Sequence, residues 1–193
     1  MFIWDNAKEY KACVKELKKH FDLKDLGEAK NYLSMQLERT QDGNILVNQS
    51  LKIQEVLEAL NLEQANATDT PMVANFKIPP DSKPFNNPTL YRSVVRKLSF
   101  IAHVTRPDIA ISVNHLAREC TKPSEFAWKA LKRIGRYLKG TKTQSLKYTN
   151  QGTGGLEIFA DASYGDNTDS KSMFGVVHAY NGSVFDWKVS LKV

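Results

Sequence analysis

The sequence predicts a two-part α+β chain, and three observations carry that prediction. Residues 90–141 hold three consecutive amphipathic stretches at helical spacing, with stop signals between them. The dipeptides Asp42-Gly43 and Asn181-Gly182 each lie between apolar alternations that suit antiparallel strands. A segment carrying Pro71, Pro79, Pro80 and Pro84 among polar residues separates the first of these hairpins from the helices.

Taken in order, residues 1–4 read as the end of a strand, and Asp5 or Asn6 can cap a helix reaching about Phe21. Its inner face is Tyr10, Cys13, Val14 and Leu17. Residues 32–39 and 44–47 read as a hairpin, and residues 49–60 as a helix burying Ile53, Val56, Leu57 and Leu60, with Asn61 after its end. Residues 63–87 read as an extended connector and the natural hinge of the chain. The next helix places Tyr91, Val94, Val95, Leu98, Ile101 and Ala102 on one face, with Arg92, Arg96 and Lys97 elsewhere. It breaks at Thr105-Arg106-Pro107-Asp108, because proline suits a first helical position and aspartate favours the positive end of a helix dipole. Ile109, Val113, Leu116 and Cys120 make the stripe of the second helix, and residues 121–124 stop it and offer a hydroxyl cap to the third. In that third helix Ala127, Leu131, Ile134 and Leu138 cluster on one side, while Lys129, Lys132, Arg133, Arg136 and Lys139 centre on the opposite side. Residues 150–155 read as a flexible joint, and residues 156–160, 173–180 and 183–187 as three antiparallel strands.

A cationic helix face has two readings, a solvated surface or a polyanion-binding surface, and its pattern alone does not choose between them. Across the 193 residues, 41% are hydrophobic and 25% charged, which excludes a disordered chain. Lys and Arg number 27 against 21 Asp and Glu, a formal charge of +6 that favours phosphate-rich partners without naming one. Cys13 and Cys120 alone are too few and too far apart for a disulfide framework or a thiolate zinc site. His20, His103, His115 and His178 lack zinc-ligand spacing, and no glycine-rich phosphate loop is present. Asp22 with Asp25, and Asp166 with Asp169, read as loop caps and solvated carboxylates rather than acid–base pairs. No apolar run has the length of a membrane span, and the first residues lack the pattern of a signal peptide. The expectation is a soluble intracellular protein, cytoplasmic or nuclear.

The run YRSVVRKLSFIAHVTRPDIAISVNHLAREC followed by WKALKRIGRYLKGT resembles the segment that joins polymerase and ribonuclease H in copia-type retrotransposon polyproteins. TRPDIA and RYLKGT are the most specific pieces. LKKHFDLKDLGEAKNYLSMQLERTQDGNILVNQSLKIQEVLEALNL is similar to the end of the reverse transcriptase palm, with the hairpin that steadies the primer terminus. LEIFADASYGDNTDSKSMFGVVHAYNGSVFDWKV is similar to the opening of the family's ribonuclease H domain. There Asp161 matches the first metal-binding aspartate, and Lys171-Ser172, Gly175 and Trp187-Lys188 match later landmarks. The resemblance therefore implies palm tail and start of thumb over residues 1–62 and a proline-rich connector over 63–88. A three-helix thumb or connection region over 89–149 and a truncated ribonuclease H-like antiparallel sheet over 155–193 complete it.

In that family Mg²⁺ ions held by carboxylates perform both reactions, RNA-directed DNA synthesis and cleavage of RNA–DNA hybrids. The family's paired polymerase aspartates precede the strand that begins with Met1, and no adjacent Asp-Asp pair occurs in this sequence. Asp161 is a single carboxylate where the nuclease needs several, so the expectation is an incomplete catalytic and metal site and a chain inactive by itself. Weak or absent Mg²⁺ binding goes with it. Expected partners are RNA–DNA hybrid or DNA, held at phosphates by Lys129, Lys132, Arg133, Arg136 and Lys139, and other parts of the polyprotein; no membrane is expected. The alternatives are a non-catalytic basic nucleic-acid-binding module and a domesticated transposon remnant. Arg96 and Ser34 stand where the family usually has glycine, and Ser163 and Tyr164 replace its usual acidic and tryptophan residues. An arginine at position 96 is tolerable where it faces water. A three-stranded sheet without a covering helix would leave an apolar face and an exposed edge.

Overall fold

The side chain of Asn6 accepts from the backbone N–H groups of Lys8 and Glu9, and this cap starts helix α1 (Ala7–Leu17). The structure is a computed structural model that describes residues 6–24, 26–149, 152, 154–163 and 172–192. Asp25, Tyr164, Asp166, Asp169, Lys171, the strand end at residues 1–4 and part of the joint at 150–155 lie outside the described residues. Helix α1 ends earlier than the expected Phe21, because the N–H groups of Lys19 and His20 tighten onto the carbonyls of Glu16 and Leu17. Its expected inner face is also not a core face, since no residue of α1 is buried.

The stretch expected as one strand over residues 32–39 is broken by a turn. Strands β1 (Asn31–Tyr32) and β2 (Met35–Arg39) pair antiparallel through Leu33 and Ser34, whose φ values of 48° and 65° are both left-handed. Two positive φ angles in a two-residue loop are the pattern of a type I′ hairpin turn, which glycine fits best. Ser34, which occupies a glycine position of the resembling family, therefore carries backbone strain. Ser34→Gly is expected to raise the unfolding free energy by about 0.5–1 kcal/mol in a urea titration, and an unchanged or lower value would contradict the strain.

Strand β3 (Ile45–Asn48) pairs antiparallel with β2 across the Asp42-Gly43 turn, where Gly43 has φ 78°. Helix α2 (Ser50–Leu60) follows, burying Ile53, Val56, Leu57 and Leu60 as expected, and left-handed Asn61 closes it. Residues 63–87 contain no helix or strand. Pro88 then opens α3 (Pro88–Val104), capped by the Asn87 side chain, which accepts from Leu90 N–H at 3.0 Å. The second helix begins at Pro107 as a 3₁₀ turn and continues as α4 (Ala110–Ala117). Ser124 caps α5 (Glu125–Gly140) by accepting from Ala127 N–H at 3.1 Å.

The apolar faces of α2, α3, α4 and α5 meet in one core. Tyr91, Leu98, Ile101, Ile109, Leu116, Leu131, Ile134 and Leu138 are fully enclosed there. The lack of a side chain at Gly135 allows the close approach of α5 to α2, because a Cβ there would stand 2.7 Å from the buried Leu62 and 2.8 Å from Leu60. Arg96 is exposed on α3, so its charge stays in water.

A short strand the sequence pattern did not mark, β4 (Leu146–Tyr148), pairs with β3 and ties the end of α5 to the hairpin, giving the sheet order β1-β2-β3-β4. The second sheet is an antiparallel meander of β5 (Leu156–Ser163), β6 (Ser172–Tyr180) and β7 (Ser183–Lys192). Asn181 and Gly182, at φ 52° and 71°, make its second turn as expected. This sheet docks on the helices through β7. The Trp187 indole N–H donates to the Ala102 carbonyl at 2.7 Å, at the end of α3. Strand β5 is an edge, and Leu156, Ile158 and Phe159 on it are exposed.

Candidate nucleic-acid interface

Helix α5 is built by its own two faces. Ala127, Leu131, Ile134 and Leu138 are buried in the core, which turns Lys129, Lys132, Arg133, Arg136 and Lys139 outward. The structure brings four of these five cations against other groups. Arg133 Nη2 donates to Thr70 Oγ1 at 2.9 Å, Arg136 Nε to the Asn66 carbonyl at 2.6 Å, and Lys139 Nζ to the Ala65 carbonyl at 2.8 Å. All three acceptors belong to the connector. Lys132 Nζ sits 5.9 Å from the centre of the Trp128 ring, a cation–π placement, while Lys129 is exposed.

The connector is thus a strap along the outer side of α5, not the hinge its composition suggested. Ala65, Met72, Phe76, Ile78 and Phe85 pack against the core, and Thr68 Oγ1 donates to the Arg133 carbonyl at 3.5 Å. Its far end is stitched to the start of α5 by Phe85 N–H to the Pro123 carbonyl and Glu125 N–H to the Lys83 carbonyl, each at 2.8 Å. The physical reason is satisfaction of the backbone. An irregular segment laid on a helix leaves carbonyls that require donors, and long cationic side chains supply them.

An ion pair between a buried arginine and a partly exposed aspartate lies at the other end of α5. Arg106 is 2% exposed, and its guanidinium donates to Asp108 Oδ1 at 2.9 Å and Oδ2 at 2.6 Å, to the Thr141 carbonyl at 3.0 Å and to Thr141 Oγ1 at 2.7 Å. The Tyr137 hydroxyl donates to Asp108 Oδ2 at 2.8 Å. Burial by itself would raise the Asp108 carboxyl, but the hydrogen bonds and charge of Arg106, with the Tyr137 hydroxyl, more than offset it and hold the group below its ordinary value. These residues come from TRPD and RYLKGT, the two most specific pieces of the sequence. Their joining in space is what sequence reasoning missed, since 106 and 141 are remote along the chain and no periodic pattern links them.

Asp161 lies on exposed β5, opposite Gly175 of β6. Among the described residues no group of three or more His, Cys, Asp or Glu is placed to hold a metal ion, so none brings Asp161 the converging carboxylates that two-metal chemistry requires. Among the same residues no helix is long and apolar enough to cross a membrane.

The chain is 32% identical over 193 residues to the retrovirus-related Pol polyprotein from transposon TNT 1-94 of Nicotiana tabacum, an alignment that covers 92% of this chain and 14% of that protein. It is 28% identical over 184 residues to the putative transposon Ty5-1 protein of Saccharomyces cerevisiae, covering 94% of this chain and 60% of that protein. It is also 36% identical over 99 residues to the secreted RxLR effector protein 161 of Plasmopara viticola, covering 51% of this chain and 70% of that protein. The chain spans less than two thirds of the length of either transposon relative. No family model matches the chain, and no solved structure does.

Proposed function

We propose, from the premise that this chain belongs with the retrovirus-related Pol polyproteins of transposons, that it is the copia-type segment running from the end of the reverse transcriptase palm, through a helical thumb or connection region, into the opening of ribonuclease H. The observation that carries this reading is the reach of the alignments. They cover 92% and 94% of the chain, so the helical core and the strands beyond it belong to one polyprotein segment. The match to the Plasmopara viticola relative takes in only 51% of the chain and does not speak for the whole of it.

In this reading the chain by itself performs neither of the parent reactions. Phosphoryl transfer through two metals needs several carboxylates converging on the cations, and this sequence has no adjacent Asp-Asp pair, while Asp161 stands on an open strand. What remains is a scaffold with a basic helix. A second reading, a module that grips hybrid or DNA through phosphates without chemistry, is favoured by the exposure of Lys129 and by Lys132, which engages a ring rather than a carbonyl.

The test is Mg²⁺-dependent cleavage of a labelled RNA–DNA hybrid, with Asp161→Asn as control and hybrid binding followed across a salt series. No cleavage is expected from either protein. Binding that weakens with salt, at a log–log slope of about −0.9 per phosphate contacted and shallower by about one such step in Lys129→Ala, supports the module. Cleavage that Asp161→Asn abolishes would overturn the inactive reading. Binding that is salt-insensitive, or unchanged in Lys129→Ala, would remove the module and leave the scaffold alone.

A further inference from the structure

A groove of about 300 Å³ runs between residues 76–82 of the connector and the side chains of His115, Glu119, Lys122 and Ser124. Its outer wall is set by the backbone. Pro79 and Pro80 fix their own φ angles, Ser82 N–H closes a turn onto the Pro79 carbonyl at 3.1 Å, and the paired strands of backbone at Phe85 and Glu125 clamp the wall to α5. Such a wall exists before any ligand arrives, which lowers the ordering cost of binding.

Its lining combines two chemistries. Phe76 and His115 line it, the His115 ring meeting Phe76 edge-on at 5.4 Å and 85°, while Phe126, outside the lining, stacks on Phe76 with ring centres 5.5 Å apart at 24°. Lys77 and Lys122 are exposed at the rim, and Glu119 is the one carboxylate in the lining. An aromatic surface beside ammonium groups suits a ligand with a flat π face and a negative charge a short distance away. A carboxylate acceptor adds a group that an exocyclic amine or ring N–H can address.

We propose that this groove binds an unpaired nucleotide of a single nucleic-acid strand, its base against the Phe76 ring and its phosphates at Lys77 and Lys122. A duplex is excluded by its own stacking. Its base faces are covered by neighbouring pairs, whereas an unpaired base offers its π face to an aromatic side chain. The groove volume, at the lower end of small-ligand sites, suits a single nucleotide. The proposal gives the nucleic-acid reading a second contact of a different kind, away from the outward face of α5, and it does not require Lys129 or Asp161.

The test measures fluorescence anisotropy of a labelled oligo-dT strand and a labelled RNA–DNA hybrid with the full chain. The variants are Phe126→Ala, Phe76→Leu, the Lys77→Ala/Lys122→Ala double and Lys129→Ala, each with its far-ultraviolet spectrum and melting recorded. Phe76→Leu keeps an apolar side chain against the core while removing the π face. The expected result is single-strand affinity reduced about tenfold in Phe76→Leu, by a smaller factor in Phe126→Ala, which removes only the ring stacked on Phe76, and reduced in the lysine double, with hybrid affinity unchanged in all three. Single-strand affinity that none of the groove variants alters, or hybrid affinity that falls in parallel, overturns the proposal. Hybrid binding without single-strand binding removes the groove and leaves the phosphate module standing; single-strand binding lost in the groove variants, with no hybrid binding, does the reverse. No binding of either strand form overturns both.

Discussion

Arg106→Ala is expected to lower the unfolding free energy by about 3–5 kcal/mol, measured as a shift of the urea midpoint at unchanged slope. The guanidinium binds Asp108 through two nitrogens and Thr141 through its carbonyl and hydroxyl, so one side chain closes the turn before α4 onto the end of α5. Its loss leaves the Thr141 carbonyl without that donor and Asp108 with the Tyr137 hydroxyl but no cation, and leaves a void where the side chain lay. Asp108 is partly open to solvent and can rehydrate, which argues for the lower part of that range. Arg106→Lys keeps the charge but loses the fork geometry, so it is expected between the two. Arg96→Ala, on the exposed side of α3, is expected within about 0.5 kcal/mol of the parent protein. Equal stability of Arg106→Ala and Arg96→Ala would refute the role assigned to the pair.

The same cluster sets a pH dependence. Against the rise that burial would cause, Arg106 and Tyr137 hold the folded Asp108 carboxyl below its unfolded value, so the folded state binds its proton less readily. For a depressed carboxyl the stabilisation is complete above the unfolded value, near pH 4, and is lost as pH falls through the lower folded value. Asp108→Asn is accordingly expected to be less stable than the parent at neutral pH, and the gap is expected to narrow below about pH 4. A gap that stays constant down the acid series would assign the loss to packing instead.

What the sequence disclosed and what it withheld divide along a physical line. Tyr91, Leu98, Ile101, Leu131, Ile134 and Leu138 were legible as core because an amphipathic helix announces its buried face through spacing alone. Asn181-Gly182 and Asp42-Gly43 were legible because positive φ demands those residue types. The strap was not legible. Its path depends on where the carbonyls of Ala65 and Asn66 come to rest beside Lys139 and Arg136, and no local preference encodes that meeting. Likewise the spacing of the α5 cations told which side is polar, but not that connector oxygens would cover part of it. Strand β4 is too short for a periodic signal, and the bond from Trp187 to the Ala102 carbonyl joins positions remote in sequence. Helix α1 shows the opposite failure, an apolar stripe of which Tyr10, Val14 and Leu17 are half-buried and none is enclosed in a core.

Ile134→Ala is expected to cost about 2–5 kcal/mol, the loss of buried methyl groups plus the cavity they leave. Ile134 has no exposed surface, and it lies midway along α5 on the side where α2, α3 and α4 converge. Collapse around the gap is restricted, because Leu131 and Leu138 on the same face are equally enclosed and Gly135 beside it already lets α2 approach as closely as it can. A domain of this size has a total stability of about 5–15 kcal/mol, so the variant should unfold within reach of mild urea. Lys129→Ala, a few residues away on the opposite face, is expected to change stability by no more than about 0.5 kcal/mol. The pair separates folding from binding on one helix. In conditions where both variants are folded, Ile134→Ala should retain the parent's affinity for nucleic acid and Lys129→Ala should lose part of its salt-sensitive component. Were Ile134→Ala to match Lys129→Ala in stability, α5 would not be packed by the face its spacing selects, and the outward placement of its cations would fall with it.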